Sequence, residues 1–195
     1  MIRVGITGGM GSGKTTVCRM LEEYGVPVYY SDERGRELTD SDPAIRKGIR
    51  RLFGARVWKG EQLDRAALAR VVFSSPPKLA ALNRLIHPAV GRDFADWCDR
   101  WEKDGAVWVA LESAILFESG MAGSVDHSVA VTAPKDVRIE RVAARDGLTA
   151  EEVEARIGAQ LDEKELARLA QYIIVNDGKH PLREQVEELD RMFRR

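Results

Sequence analysis

The chain has 195 residues, of which 44% are hydrophobic and 31% charged, with 30 basic against 31 acidic side chains. These proportions are typical of a globular protein that can bury one substantial core, and they exclude a disordered or fibrous chain. Because the net charge is close to zero, no broad field attracts nucleic acid or an anionic membrane. We therefore expect neither as a partner and look for local recognition of phosphate.

The number of cysteines and the length of the apolar stretches indicate the cellular compartment in which the protein works. Two cysteines, Cys18 and Cys98, are too few for a disulfide framework or a structural zinc site. The chain enters a strand-like run without a charged leader, and its longest apolar stretch, 107–117, is interrupted by Glu112 and Ser113. We expect a cytoplasmic protein in which Cys18 is a small buried residue.

The first thirty residues have the pattern of a βαβ unit. Alternating apolar residues predict a strand at 2–6, and a glycine cluster then prevents its continuation. Apolar residues at helical spacing follow until Gly25, which suits the left-handed turn that ends a helix. A second strand is predicted at 26–30, so the unit implies a parallel sheet.

The middle of the chain differs from its two ends. The stretch 34–104 is charged and helical and shows no convincing strand pattern. Beyond it, buried strands are predicted at 106–111, 128–131 and 173–175. Strands that alternate with helices predict an α/β fold with an open parallel sheet flanked by helices, in which the middle stretch is an insertion.

Two helices are predicted between the later strands. Pro134 suits the first turn of a helix that ends at Gly147. Thr149 and Glu152 have the spacing of a capping box and begin another helix.

The segment 8–15 carries the clearest chemistry. It matches the pattern GxxxxGK[ST] and lies between a predicted strand and a predicted helix, whereas a chance glycine-rich turn would not need those neighbours. Backbone N–H groups in such a loop cradle phosphate, Lys14 would reach the β and γ phosphates, and the Thr15 hydroxyl would be a ligand of Mg²⁺. We expect ATP and Mg²⁺ as cofactors. The predicted nucleotide-binding residues of the loop are Gly9, Met10, Gly11, Ser12, Gly13, Lys14, Thr15 and Thr16.

Asp32 is the candidate for the acceptor side. It follows the second predicted strand, and ligands gather at the carboxyl edge of an open parallel sheet. There it could accept the proton of an attacking hydroxyl or help to position Mg²⁺. The alternative is that Ser31 and Asp32 form a helix N-cap.

Arg138, Arg141 and Arg145 share one face of a predicted helix. A solvated basic face is the usual explanation for such spacing. In a phosphoryl-transfer enzyme this face can instead close over the nucleotide, and we favour that use for Arg141.

Three further residues receive no role from spacing alone. His87 before Pro88 has the pattern of a helix start. Glu112 and Glu118 flank an apolar segment and have the pattern of surface carboxylates.

Taken together, these pieces resemble the dephospho-CoA kinases, which phosphorylate the ribose 3′-hydroxyl of dephospho-CoA in the last step of coenzyme A biosynthesis. The glycine loop occurs in many folds, whereas the combination of segments in this order is specific. The segments that carry the resemblance are 5–16, 28–32, 86–88, 115–118, Arg141 with Arg145, 156–160 and 172–178.

The resemblance implies a P-loop kinase that spans residues 1–195. It has a nucleotide-binding core, a helical insertion at about 34–104 that receives dephospho-CoA, and a helical lid at about 135–165. The partner is then a small molecule, and the protein is a monomer or a small homo-oligomer.

The resemblance also implies roles for single residues. Asp32 falls on the catalytic acid, His87 and Glu118 fall on the substrate-binding side, and Arg141 falls on a lid arginine that contacts ATP phosphate. Asn176 lies near the expected adenine site.

This chain departs from the family pattern at four places. Tyr30 replaces the first acid of an Asp-Ala-Asp run, and Ala114 replaces a common proline. Arg138 stands where glutamine is usual, and Gln171 where aspartate is frequent.

Two rival functions remain open from the residues alone. One is another small-molecule kinase, acting on a nucleoside monophosphate or on shikimate. The other is a P-loop switch or regulatory ATPase that drives a protein partner. The chain lacks the Asn-Lys-x-Asp run with which small GTPases recognise guanine.

Overall fold

The computed structural model describes residues 1–158 and 160–195. It divides into two compact units, which we call the sheet unit (Met1–Tyr30 with Cys98–Arg195) and the helical unit (Ser31–Trp97). In the described residues the strands are β1 Ile2–Thr7, β2 Val28–Tyr30, β3 Trp58–Lys59, β4 Gln62–Leu63, β5 Trp108–Glu112, β6 His127–Thr132 and β7 Tyr172–Val175. The helices are α1 Lys14–Glu23, α2 Ser31–Ser41, α3 Pro43–Phe53, α4 Arg65–Phe73, α5 Pro76–Lys103, α6 Lys135–Asp146, α7 Ala150–Ile157, α8 Glu163–Leu169 and α9 Leu182–Phe193, with short 3-10 turns at Ala55–Val57 and Met121–Ser124.

The sheet unit is built on a parallel sheet whose strand order, within the described residues, is β2-β5-β1-β6-β7. β1 is the central strand and is buried from Val4 to Thr7, as expected for a parallel sheet covered on both faces. Its neighbours β5 and β6 come from much later in the chain, so the sheet gathers the carboxyl ends of distant segments at one edge. The predicted open parallel α/β fold is confirmed.

Helices cover this sheet through apolar faces. Val17 and Leu21 of α1 are fully buried, four residues apart on one side of the helix. Trp108 of β5 is buried against α9, where its ring packs 5.3 Å from that of Phe193 and its Nε1 donates to Asp190 at 3.0 Å. The indole therefore fills the core and still satisfies its single polar group.

The helical unit has its own core. Ile45, Ile49 and Phe53 line one side of α3 and pack with Val57 and residues of the neighbouring helices. Trp58 lies on the rim of this core, where the guanidinium groups of two arginines on α3 stack on its ring.

The structure corrects two predictions in the middle of the chain. The expectation that 34–104 contains no strand is wrong, because β3 and β4 pair as a short antiparallel hairpin with Gly60 at its turn (φ 61°). The expectation that His87 begins a helix is also wrong. His87 lies inside α5, and Pro88 is accommodated within the same helix.

Other local predictions are confirmed. Gly25 and Gly147 follow their helices with φ of 77° and 67°. Thr149 and Glu152 form both hydrogen bonds of the capping box. None of the helices in the part of the chain that the structure describes has the length and apolar character needed to cross a membrane.

Candidate nucleotide-binding site

Residues 8–13 form a tight loop between the end of β1 and the start of α1. The Ser12 amide donates to the Gly9 carbonyl at 3.1 Å, which closes the turn, and the Val17 amide donates to Gly13 at 3.1 Å at the helix start. The loop therefore ends at a helix N-terminus, where unpaired N–H groups and the helix dipole favour an anion.

Two features require glycine at position 13. Its φ is 96°, a region that residues with a side chain rarely adopt. A Cβ at Gly13 would also overlap the side-chain nitrogen of Asn176, which donates to the Ser12 carbonyl at 2.8 Å. Asn176 thus packs directly on the loop.

Lys14 and the two threonines begin α1 in different surroundings. The Lys14 side chain is buried and its Nζ donates to the Gly8 carbonyl at 2.7 Å, which holds the ammonium group against the loop. Thr15 and Thr16 are exposed, so their hydroxyls are open to a ligand. The Ser12 hydroxyl is buried and, within the described residues, makes no hydrogen bond. A bound phosphate would supply a partner for it.

Arg141 reaches the same loop through Asn176. Its Nη2 donates to Asn176 Oδ1 at 3.4 Å, and its Nη1 is buried with no hydrogen-bond partner among the described residues. Arg145 instead pairs with its neighbour Asp146 and is exposed. The structure therefore brings Lys14, Arg141 and Asn176 together at the loop and leaves Arg145 outside.

The idea of one solvated basic face is wrong for Arg138. Its side chain is 5% exposed, its Nε donates to the Met10 carbonyl at 2.9 Å, and its Nη1 lies 3.5 Å from Glu163 Oε2. Of the three arginines of α6, Arg138 is buried against the loop, Arg141 is partly buried beside it, and Arg145 is exposed.

Glu112 is a candidate that sequence reasoning missed. The expectation of a surface carboxylate is wrong, because Glu112 is 7% exposed at the carboxyl end of β5, in register with Ile6 of β1. The signal was an acid that ends a buried apolar strand, a position at which P-loop proteins often hold Mg²⁺. Glu118, by contrast, is exposed.

Tyr30 and Cys18 lie close to this carboxylate and are both neutral. Burial raises the pKa of the Tyr30 phenol, and hydrogen bonding to Glu22 and the charge of Glu112 act in the same direction. Burial also raises the pKa of Cys18, which is fully covered as expected. Position 30, where the resemblance led us to expect an acid, thus carries a neutral hydroxyl.

Asp32 and His87 lie in the helical unit. Asp32 is exposed and lies in the first turn of α2. This helix begins at Ser31, directly after β2, so Ser31 and Asp32 belong to the helix and do not form an N-cap before it. Burial lowers the pKa of half-buried His87, and the Asp32 carboxylate opposes that shift. The two side chains are therefore within electrostatic reach of each other, and His87 is neutral at pH 7.

The side chains near the loop can be compared with the ligands that Mg²⁺ prefers. Among residues 1–158 and 160–195, no group of three or more His, Cys, Asp and Glu side chains could hold a metal ion alone. An exposed Thr15 hydroxyl and a buried carboxylate at the neighbouring strand end suit an ion that takes its remaining ligands from phosphate and water. The residues fit a nucleotide-bound Mg²⁺.

A glycine loop between a strand and a helix on this sheet defines the class of P-loop nucleotide-binding proteins, and solved structures share the fold. A dephospho-CoA kinase from Campylobacter jejuni superposes with a TM-score of 0.71 at 21% identity, over 97% of this chain and 95% of that one. A shikimate kinase from Bacteroides thetaiotaomicron gives 0.56 at 16% identity, over 98% and 97%. A crystal structure from Thermus thermophilus gives 0.84 at 38% identity, over 98% and 95%.

The sequence matches the dephospho-CoA kinase family over residues 2–181. A dephospho-CoA kinase of Bacteroides fragilis is 42% identical over 188 residues, which cover 96% of this chain and 91% of the relative. One of Chlorobaculum tepidum is 43% identical over 192 residues, covering 95% and 92%. The chain therefore belongs to the dephospho-CoA kinase family of ATP-dependent kinases.

Proposed function

We propose that the glycine loop and the helical unit of this chain carry out the reaction of its family. In that reaction the γ-phosphate of ATP is transferred to the ribose 3′-hydroxyl of dephospho-CoA, and coenzyme A is formed. The observation that carries the proposal is the loop itself, on which Lys14, Arg141 and Asn176 converge in a chain of this family.

The donor side lies in the sheet unit. The loop amides and Lys14 bind the β and γ phosphates, and Arg141 neutralises charge on the transferred group. We assign Asn176, which packs on the loop through the Ser12 carbonyl, to the adenine side of the nucleotide. The Thr15 hydroxyl and the Glu112 carboxylate would hold Mg²⁺, which would supply charge neutralisation at the phosphates. Arg141 Nη1 has no hydrogen-bond partner in the described part of the chain, and this supports its assignment because a phosphate oxygen would satisfy it.

The acceptor side involves the helical unit. Asp32 takes the proton of the 3′-hydroxyl while the new oxygen–phosphorus bond forms and the bond to the β-phosphate oxygen breaks, releasing ADP. His87, neutral and half-buried, and Glu118 bind the acceptor. The insertion at about 34–104 receives dephospho-CoA, and the segment at about 135–165 acts as the lid that excludes water.

The setting of the reaction is also a proposal. A small-molecule acceptor needs neither nucleic acid nor membrane, and a monomer or small homo-oligomer suffices for it. Both cysteines are buried thiols, which agrees with a reducing cytoplasm.

Turnover of two variants tests these roles. Asp32→Asn keeps the shape of the side chain and removes the base, so we expect kcat to fall by about 10²–10⁴-fold. Lys14→Ala should abolish productive ATP binding. The matched control is Glu33→Gln, an exposed carboxylate one residue beyond Asp32. Near-normal rates in either variant would remove that residue from the mechanism.

A panel of acceptors with radiolabelled ATP tests the substrate. Label should pass to dephospho-CoA and not to shikimate or a nucleoside monophosphate. Acceptor-independent ATP hydrolysis that responds to a protein partner would instead favour a regulatory ATPase.

A further inference from the structure

The outer turn of the loop is fastened at one residue by side chains from a distant part of the chain. Met10 is the third residue of the GxxxxGK pattern. Its carbonyl accepts from Arg138 Nε at 2.9 Å, and its amide donates to Gln160 Oε1 at 2.8 Å. Both backbone polar groups of Met10 thus have side-chain partners.

Arg138 also packs closely against the glycines on either side of Met10. A Cβ on Gly9 would overlap the guanidinium nitrogens, and a Cβ on Gly11 would lie 2.6 Å from the Arg138 carbonyl oxygen. The start of α6 and the loop are therefore in van der Waals contact, so a change in the arginine side chain acts directly on the loop.

The guanidinium is itself held from a third direction. Arg138 Nη1 lies 3.5 Å from Glu163 Oε2, while Glu163 Oε1 accepts from the Ala133 amide at 2.6 Å. Ala133 directly follows β6, which pairs with β1. The arginine is thereby tied to the strand next to the one that carries the loop. A buried cation is tolerated because these partners compensate for its lost hydration.

We propose that Arg138 is a positioning residue that fixes the outer turn of the loop in the shape that receives ATP, through the Met10 carbonyl and the Glu163 carboxylate. Gln160 does the same from the amide side of Met10. Arg138 acts through the backbone of Met10 and not by touching the reacting phosphate. The inference rests on the proposed function in one respect, that ATP is the phosphate donor. It assumes nothing about the acceptor.

The test compares Arg138→Met with Arg138→Lys. Methionine keeps an apolar stem and removes every donor, whereas lysine restores one donor and the charge. The matched control is Lys135→Met. Lys135 lies on α6, as Arg138 does, but it is exposed and pairs with Glu154 of α7. For each protein we would measure the dissociation constant of ATP without acceptor by calorimetry, the KM of each substrate, kcat, and Tm.

We expect Arg138→Met to weaken ATP binding by about tenfold, since a hydrogen bond to a charged group is lost. The KM for dephospho-CoA should stay within about twofold, Arg138→Lys should recover part of the ATP affinity, and Lys135→Met should match the wild type. If Arg138→Met fails to fold, Gln160→Ala must raise the ATP dissociation constant while Tm is kept.

The proposal would be overturned if Arg138→Met had a lower Tm and unchanged ATP affinity, or if it weakened the binding of ATP and dephospho-CoA equally. Unchanged ATP affinity in Gln160→Ala would also overturn it. If the wild type binds ATP but does not phosphorylate dephospho-CoA, the acceptor assignment fails. The ATP-binding comparison is still decisive for Arg138 in that case.

Discussion

At the scale of single residues, position 13 admits no side chain. We predict that Gly13→Ala weakens ATP binding more than tenfold, because the methyl group would displace Asn176 and strain a backbone with φ 96°. Titration with ATP measures the effect. The matched control is Gly25→Ala, which has φ 77° but open space around the Cβ. It should lose about 1 kcal/mol of stability and keep its ATP affinity. Equal ATP affinity in the two variants would contradict the account.

His87 gives a prediction for pH dependence. Its pKa is lowered by burial from an ordinary value of 6.5, so the unfolded chain takes up the proton first as pH falls. The neutral imidazole therefore contributes stability that is complete above about pH 6.5 and is lost as pH falls through the lowered pKa. Urea unfolding between pH 7.5 and pH 5 should show a shallower loss of unfolding free energy for His87→Gln than for the wild type. Identical slopes would contradict the burial of this imidazole.

Some residues of the candidate site could be predicted from the sequence and others could not. The roles proposed for Lys14 and the glycines follow from a local pattern, because the loop, the preceding strand and the following helix are contiguous. Glu112 was missed because a lone acid at a strand end is usually solvated, and its burial depends on the neighbouring strands.

At the scale of elements, α3 depends on its cap. Asp42 accepts hydrogen bonds from the amides of Ala44 at 2.7 Å and Ile45 at 3.1 Å, with Pro43 at the first helical position. We predict that Asp42→Ala lowers the free energy of unfolding by about 1 kcal/mol, and that Asp42→Asn, which can still cap, lowers it by much less. Chemical denaturation measures both. An equal loss in the two variants would contradict a capping role.

Elements were predictable where a pattern had room to repeat. The alternation over 2–6 and the helical spacing that follows gave β1 and α1 correctly. The β3–β4 hairpin has two residues in each strand, too few for any alternation to appear.

Pro88 was misread for a different reason. Proline favours helix starts, yet here Ala89, Val90 and Phe94 are buried beyond it, and their packing continues α5 despite one lost backbone hydrogen bond.

At the scale of the whole molecule, the strand order could not be read from the sequence. Buried strands of a parallel sheet are alike in composition, so nothing local states that β5 and β6 flank β1. The same holds for the contacts of Met10 with Arg138 and Gln160, since each joins segments well over a hundred residues apart. Pattern and resemblance could identify the loop and the family, whereas the structure was needed to show what holds the loop.

In the proposed function this loop delivers the γ-phosphate of ATP to the 3′-hydroxyl of dephospho-CoA. The most direct test is to incubate the purified protein with ATP, Mg²⁺ and dephospho-CoA and to detect the product by mass spectrometry. We expect coenzyme A and ADP in equal amounts, and no coenzyme A from Lys14→Ala. Hydrolysis of ATP with dephospho-CoA left unmodified by the wild-type protein would contradict it.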